Sequence, residues 1–131
     1  MQIYLDTSAL VKLVVDERES PALERYVVEH SSDRRFTAAL ARTELLRAMA
    51  RRQQADSIAH GRRLLGRLYV VPLTNRLLDR AATLTPPELR TLDAIHLAAA
   101  MTAPNLRAVV TYDTHLAQAA TNAGIAAVSP A

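Results

Sequence analysis

Short apolar runs alternate along the chain with longer segments in which apolar residues recur every three or four positions. Short runs rich in β-branched and aromatic residues are typical of strands, and the longer period is typical of amphipathic helices. The pattern predicts five strands, at residues 2–5, 35–38, 69–73, 107–111 and 125–128. It predicts seven helices, at residues 8–15, 20–29, 39–52, 56–67, 75–84, 91–102 and 114–123. This alternation favours an α/β fold with a five-stranded, mainly parallel sheet and helices on both faces.

Several helix boundaries are marked by residues that begin or end helices. Ser20 and Pro21 predict the start of the second helix, with Ser20 as its cap and Pro21 in the first turn. Gly124 follows the last helical segment and is expected to end it. The 131 residues, 50% of them hydrophobic, contain no repeat or linker, so we expect a single domain over residues 1–131.

Four acidic residues occur in settings that suggest chemistry rather than solvation. Asp6 and Asp113 each follow an apolar strand-like run, so both carboxylates are expected at the carboxyl edge of the sheet, where open α/β folds bind ligands. Glu44 and Asp93 lie in helical segments. Two like charges about 6 Å apart repel by roughly 3 kcal/mol at an effective dielectric constant near 20. If all four acids converge, their repulsion therefore calls for a bound cation.

Composition narrows the chemistry further. The chain has no cysteine, which excludes disulfides, cysteine-ligated zinc and thiol catalysis and leaves oxygen or imidazole ligands. The net charge of +3 comes almost wholly from arginine, which suits contacts with phosphate, although arginine-rich usage also reflects genome composition. No apolar run is long enough to span a membrane, and the start MQIYLD has no basic region before an uninterrupted apolar run, so we expect a soluble, cytoplasmic protein.

Motifs along nearly the whole chain resemble those of the PIN-domain family, and more narrowly those of the VapC toxins of toxin–antitoxin pairs. The motifs are LDTSALVKL at the start, an Arg-x-Glu helix in the middle, LDAIHLAAA, and VVTYDTHLAQAA followed by GIAAVSP. The resemblance implies a PIN-like (Rossmann-like) sheet and an endoribonuclease that depends on Mg²⁺ or Mn²⁺. It also implies an RNA substrate, a cognate VapB-like antitoxin and a homodimer.

The resemblance also assigns roles to individual residues. The family's acidic quartet falls on Asp6, Glu44, Asp93 and Asp113. The three aspartates are expected to bind the metal, and Glu44 to position or deprotonate the attacking water. Some relatives carry a further acid after the last motif, but His115 and Leu116 follow here, so the number of metal ions stays open.

Three other residues are expected to support the acidic quartet. Ser8 and Thr111 are expected to orient the carboxylates or metal-bound waters. Arg90 precedes the helix that carries Asp93, and is expected either to contact an RNA phosphate or to relieve repulsion among the acids. The apolar helices at 9–15 and 39–50 are candidates for an antitoxin groove, near positions 10–13 and 45–49, or for a homodimer face.

Each chemical interpretation has a structural alternative. Asp6 or Asp93 alone fits a helix start, and Glu44 alone fits an ion pair with Arg47 or Arg51. His96 shares a helical face with Asp93 and could bind a transition metal, but a hydrogen-bonded histidine in a packed helix is the commoner outcome. At the level of the whole chain, the alternatives are a housekeeping PIN-fold nuclease in RNA processing or DNA repair and a catalytically idle binding module.

Overall fold

The computed structural model describes residues 1–131 as five strands and seven helices. The strands are β1 Gln2–Leu5, β2 Arg34–Ala38, β3 Tyr69–Val71, β4 Leu106–Val110 and β5 Ala127–Val128. The helices are α1 Thr7–Val14, α2 Ser20–Glu29, α3 Ala39–Arg51, α4 Ala55–Leu65, α5 Asn75–Ala82, α6 Thr91–Ala100 and α7 Thr114–Asn122. None of them combines the length and hydropathy that crossing a membrane requires.

The five strands form one parallel sheet in the order β3-β2-β1-β4-β5. The central strand β1 pairs with β2 on one side and with β4 on the other, and Leu5 lies opposite Val110 in the second pairing. Because both strands run in the same direction, Asp6 and Thr111 leave the sheet side by side. The topology thus brings the first and last acidic motifs to one edge of the sheet.

Both faces of the sheet are covered, because successive strand residues point to opposite sides. Tyr4 and Val109 pack into one buried cluster with α5, α6 and α7, while Ile3 and Val110 pack into a second cluster with α1, α2, α3 and α4. Fully burying a large apolar side chain contributes about 1.5–3 kcal/mol. The predicted α/β class, with a parallel five-stranded sheet and helices on both faces, is confirmed.

The second cluster also bears on the expected partner-binding groove near positions 10–13 and 45–49. Leu10, Leu45 and Met49 are almost completely buried in this core, so their side chains cannot anchor a partner. Val11 and Ala48 on the same two helices remain half-buried.

All predicted element bounds agree with the structure within two residues, and the differences have local causes. The third strand ends at Val71 because Pro72, which follows, has no amide hydrogen for the sheet. The last strand begins only at Ala127, because the Ile125 amide donates to the Ala120 carbonyl at the end of α7. Gly124 ends that helix as expected, with φ of 77° in the left-handed region.

The expected cap at Ser20 is wrong. Ser20 is the first residue of α2 rather than its cap, and Glu19 stands at the cap position without a side-chain bond. The buried Ser20 hydroxyl instead contacts the carbonyls of Lys12 and Val15 and accepts from the Glu17 amide. Ser20 therefore ties the start of α2 to the end of α1.

Candidate active site

A cavity of about 300 Å³ opens at the carboxyl edge of β1 and β4. The acids in its lining come from the end of β1, from α3, from α6 and from the start of α7. The cavity is lined by all four acids singled out in the sequence, which are Asp6, Glu44, Asp93 and Asp113. Arg90 and His96 line it as well. The fold thus gathers the acidic motifs of four separate segments in one place.

Asp6 is the most enclosed of the four acids, with 4% of its surface exposed. Its Oδ1 accepts hydrogen bonds from the Ser8 hydroxyl at 2.7 Å and from the Ala9 amide at 3.0 Å, and its Oδ2 accepts from the Thr111 hydroxyl at 2.5 Å. Burial raises the pKa of Asp6, and these three hydrogen bonds oppose the rise only in part. The hydrogen bond from the Ala9 amide makes Asp6 the cap of α1. Asp6 therefore starts a helix, as its structural interpretation predicts, and also lies in the candidate site.

Ser8 and Thr111 connect the two acidic strand ends. The Ser8 hydroxyl accepts from the Tyr112 amide at 2.8 Å, and the Thr111 hydroxyl accepts from the Asp113 amide at 3.0 Å. Because both hydroxyls also donate to Asp6, the end of β1 and the turn after β4 are joined through side chains. This geometry agrees with the orienting role expected for Ser8 and Thr111.

Asp113 caps α7. Its Oδ1 accepts from the amides of His115 at 2.8 Å and Leu116 at 3.2 Å. Partial burial works against ionisation, but these amide bonds and the Arg90 guanidinium outweigh it and lower the pKa of Asp113. Asp6 and Asp113 therefore lie close to one another along the sheet edge with pKa values displaced in opposite directions.

Arg90 bridges the other two aspartates. Its guanidinium lies 2.8 Å from Asp93 Oδ2 and 2.7 Å from Asp113 Oδ2. The Arg90 side chain is 55% exposed, whereas that of Asp93 is only 9% exposed, so the cation reaches in from the solvent side. In this arrangement Arg90 relieves the repulsion within the acidic cluster, which is one of its two expected roles.

Glu44 contacts neither Arg47 nor Arg51, so the surface ion pair considered for it is not formed. Its Oε1 accepts from the Thr7 hydroxyl at 2.7 Å and lies 2.8 Å from His96 Nε2. Partial burial disfavours the ionised carboxylate, but the hydrogen bonds from His96 and Thr7 outweigh it and lower the pKa of Glu44.

His96 is 4% exposed and bonded through both ring nitrogens, as the packed-helix interpretation predicts. Its Nδ1 lies 2.5 Å from the hydroxyl of Tyr4, which is fully buried in β1. Tyr4 and Thr7 were missed from the sequence, because one looks like an ordinary core residue and the other like an ordinary first-turn residue. For His96, the sequence signal of a place in the site was its spacing of three residues from Asp93, which puts both side chains on one face of α6.

The chemistry of the donors fits a hard divalent cation, although no three acidic or histidine side chains stand in a ready-made metal cluster. Asp93 and Asp113 each meet Arg90 through one oxygen, Oδ2, which leaves Oδ1 of Asp93 free of the guanidinium. Asp6 Oδ2 has one bond, to Thr111, and keeps a second lone pair. A cation would therefore find oxygen ligands once Arg90 withdraws.

Comparisons with known proteins agree with this architecture. The PIN domain family matches residues 3–122. Ribonuclease VapC46 of Mycobacterium tuberculosis is 45% identical over 129 residues, which cover 98% of this chain and 97% of the relative. Ribonuclease VapC47 of the same species is 40% identical over 131 residues, covering 98% of this chain and 96% of the relative.

A solved structure of VapC20 from Mycobacterium tuberculosis, described as a Sarcin-Ricin loop cleaving toxin, shares the fold. It superposes with a TM-score of 0.75 at 18% identity and covers 98% of this chain and 100% of the other. With a match over most of its length and relatives at 40–45% identity, the chain belongs to the PIN-domain family and, within it, groups with the VapC ribonucleases.

Proposed function

We propose that the protein is a metal-dependent endoribonuclease and the toxin of a VapBC-type toxin–antitoxin pair, acting as one PIN domain over residues 1–131. The observation that carries the proposal is the convergence of four carboxylates from four separate segments on one open cavity. The names of relatives at 40–45% identity support the same activity. We expect the protein to act in the cytoplasm.

Asp6, Asp93 and Asp113 are the residues that would hold Mg²⁺ or Mn²⁺, because they offer carboxylate oxygens within one cavity. When bound, such an ion offsets charge on the scissile phosphate and makes a bound water more acidic. Ser8 and Thr111 keep Asp6 in place for this task through their hydroxyl bonds.

Glu44 is placed to act on the attacking water. It lines the cavity, and its lowered pKa keeps it ionised and able to accept a proton near neutral pH. Both of its protein bonds go to Oε1, which leaves Oε2 for the water. Attack by a water on the phosphorus and departure of the 3′ oxygen yields products with 5′-phosphate and 3′-hydroxyl ends.

Arg90 has a second task in this scheme. If Asp93 and Asp113 held a cation, the Arg90 guanidinium, which lies on the solvent side of the cavity, would lose its two carboxylate partners. Arginine forms paired hydrogen bonds with phosphate, so the released side chain is suited to hold the scissile or an adjacent phosphate. The two roles expected for Arg90 would then be successive states of one side chain.

An antitoxin is the expected partner, and a solved toxin–antitoxin complex from Klebsiella pneumoniae shares this fold. A chain of that complex superposes with a TM-score of 0.73 at 20% identity, covering 100% of this chain and 98% of the other. Between α1, α3 and the loop after α3 lies a second cavity, lined by Val11, Ala48, Arg51, Arg52 and Gln54. We expect a VapB-like antitoxin to dock here, because Val11 and Ala48 are partly exposed residues within the positions 10–13 and 45–49 that the sequence suggested. The homodimer stays a prediction.

The proposal is tested by incubating the purified protein with RNA in the presence of Mg²⁺ or Mn²⁺ and mapping the products. Glu44→Gln and Asp93→Asn are expected to remove cleavage while circular dichroism shows an unchanged fold. A folded wild-type protein that cleaves no RNA with either metal would favour the idle binding module. Cleavage without growth inhibition on expression would favour the housekeeping nuclease.

A further inference from the structure

We infer that His96 is a positioning residue for Glu44, and that the Tyr4 hydroxyl sets which nitrogen of the His96 ring carries the proton. The inference rests on the proposed function, because it deepens the role of Glu44 within that site. The residues involved form a continuous line of hydrogen bonds from the central strand β1 to the cavity that holds the four acids. The line runs through Tyr4, His96 and Glu44, with Thr7 joining at its end.

The members of this line come from different elements. Tyr4 lies on β1, Glu44 on α3 and His96 on α6, and Thr7 is the first residue of α1. Tyr4 and His96 are buried, with 0% and 4% of their surfaces exposed. Buried polar groups are almost always paired, and both ring nitrogens of His96 have a partner within 2.8 Å. The ring is therefore fixed on both sides.

The proton positions follow from what each group can donate. An ionised carboxylate only accepts, so the contact between Glu44 and His96 requires a proton on Nε2. The Tyr4 hydroxyl lies 2.5 Å from Nδ1 and carries a proton that it can donate to that nitrogen. The neutral ring with its proton on Nε2 satisfies both contacts at once. The other neutral tautomer would turn a lone pair toward the Glu44 carboxylate, so Tyr4 as a donor and Glu44 as an acceptor together favour the proton on Nε2.

Glu44 needs this support because its side chain is long and 27% exposed. Thr7 and His96 both donate to Oε1, and two donors on one oxygen fix where the other oxygen lies. A general base must stand within hydrogen-bond reach of the water that it deprotonates. Removing the His96 donor therefore costs turnover more than RNA binding, because Glu44 is not among the groups proposed to bind phosphate.

The chemistry of amide side chains provides matched variants. Asn places its amide near the position of Nδ1, so His96→Asn keeps a partner for Tyr4 and loses the donor to Glu44. Gln reaches further, so His96→Gln places an amide donor near the position of Nε2. Tyr4→Phe removes only the hydroxyl at the other end. Leu97→Val is the control, because Leu97 is a buried neighbour on α6 with no hydrogen bond to Glu44.

Steady-state cleavage of an RNA oligonucleotide gives the first readout. His96→Asn is expected to lower kcat roughly 10- to 100-fold with KM nearly unchanged, by analogy with the loss seen when groups that orient metal ligands are removed. His96→Gln is expected to recover most of the loss, and Tyr4→Phe to lower kcat less than His96→Asn. A loss shared equally by His96→Asn and Leu97→Val would overturn the inference, as would equal kcat in His96→Asn and the wild type.

Nitrogen-15 NMR of the His96 ring gives a readout that needs no activity. The wild type is expected to show a protonated Nε2 and an unprotonated Nδ1. A ring protonated at Nδ1, whether neutral or charged, would overturn the role of Tyr4. If the wild type cleaves no RNA but shows the expected ring state, the proposed function fails while the bonded line from Tyr4 to Glu44 stands.

Discussion

Replacing Asp6 by Asn is expected to leave the metal-free protein at least as stable as the wild type, whereas the same change at Asp113 is expected to destabilise it. The two residues differ in the environment of the carboxylate. Asp6 is buried and its pKa is raised by that burial, so its ionised form weakens the fold at neutral pH. Asp113 is less buried, and its pKa is lowered by amide bonds at the start of α7 and by Arg90.

The expected magnitudes follow from the contacts. Asn at position 6 replaces the oxygen that accepts from Thr111, which costs about 1 kcal/mol. Against this, each unit by which burial raises a pKa costs about 1.4 kcal/mol while the group is ionised, and Asn removes that cost. Asn at position 113 still caps α7, but the helix loses a negative charge at its start, worth about 0.3–1 kcal/mol.

The pH dependence distinguishes the two changes further. A raised pKa means that the Asp6 contribution is most favourable below its unfolded-state value, about 3.9, and is lost as the pH rises through the folded value. The advantage of Asp6→Asn should therefore shrink as the solution is acidified. A lowered pKa means that Asp113 stabilises the fold above its unfolded-state value, and this stabilisation is lost only as the pH falls through the folded value. The deficit of Asp113→Asn should thus persist to lower pH.

Urea denaturation in excess EDTA measures these differences. Asp79→Asn is the matched control, because Asp79 is an exposed residue of α5 and the change removes the same charge. A larger loss of stability in Asp6→Asn than in Asp113→Asn at neutral pH would refute the reasoning. It would mean that the hydrogen bonds of Asp6 outweigh the cost of burying its charge.

Three further predictions concern other parts of the molecule. Arg90→Gln is expected to tighten Mn²⁺ binding roughly two- to tenfold in calorimetry, because the guanidinium no longer competes for two carboxylates. The exposed control Arg62→Gln should leave Mn²⁺ binding unchanged. Weaker Mn²⁺ binding in Arg90→Gln would contradict this competition. Ala48→Asp is expected to weaken capture of the co-expressed antitoxin without loss of RNA cleavage. Leu45→Asp should instead unfold the protein, because Leu45 is buried. Undiminished capture by Ala48→Asp would place the partner elsewhere. Gly124→Ala is expected to destabilise the fold by about 1 kcal/mol, because φ at this position is 77°, which strains any residue with a side chain. The added carbon meets no atom within 4 Å, so no new contact offsets this strain. An unchanged midpoint of urea denaturation would argue against this conformation.

Local patterns were enough to predict the sheet edge of the site. Asp6 and Asp113 follow apolar strands, and parallel strands bring their carboxyl ends to one edge. The approach of Glu44 and Asp93 was expected only from the family resemblance, because it depends on how α3 and α6 pack against the sheet. No periodicity in the sequence encodes that packing.

The contacts that shape the site were the hardest to predict. Tyr4 and His96 are 92 positions apart, and Arg90 and Asp113 are 23 apart, so each contact exists only in the folded chain. The spacing of Arg90 and Asp93 was visible in the sequence, but the second ion pair of the guanidinium was not. Such long-range polar contacts shift the pKa values of Glu44 and Asp113 and fix where these carboxylates point.

Product mapping in RNA cleavage tests the central claim most directly. Purified wild-type protein, freed of any antitoxin, is incubated with RNA and Mg²⁺ or Mn²⁺, and the ends of the products are determined. Cleavage within the RNA that leaves 5′-phosphate and 3′-hydroxyl ends, stops in excess EDTA and is absent in Glu44→Gln and Asp93→Asn is the expected result. Full cleavage in excess EDTA, or by either variant, would contradict the account.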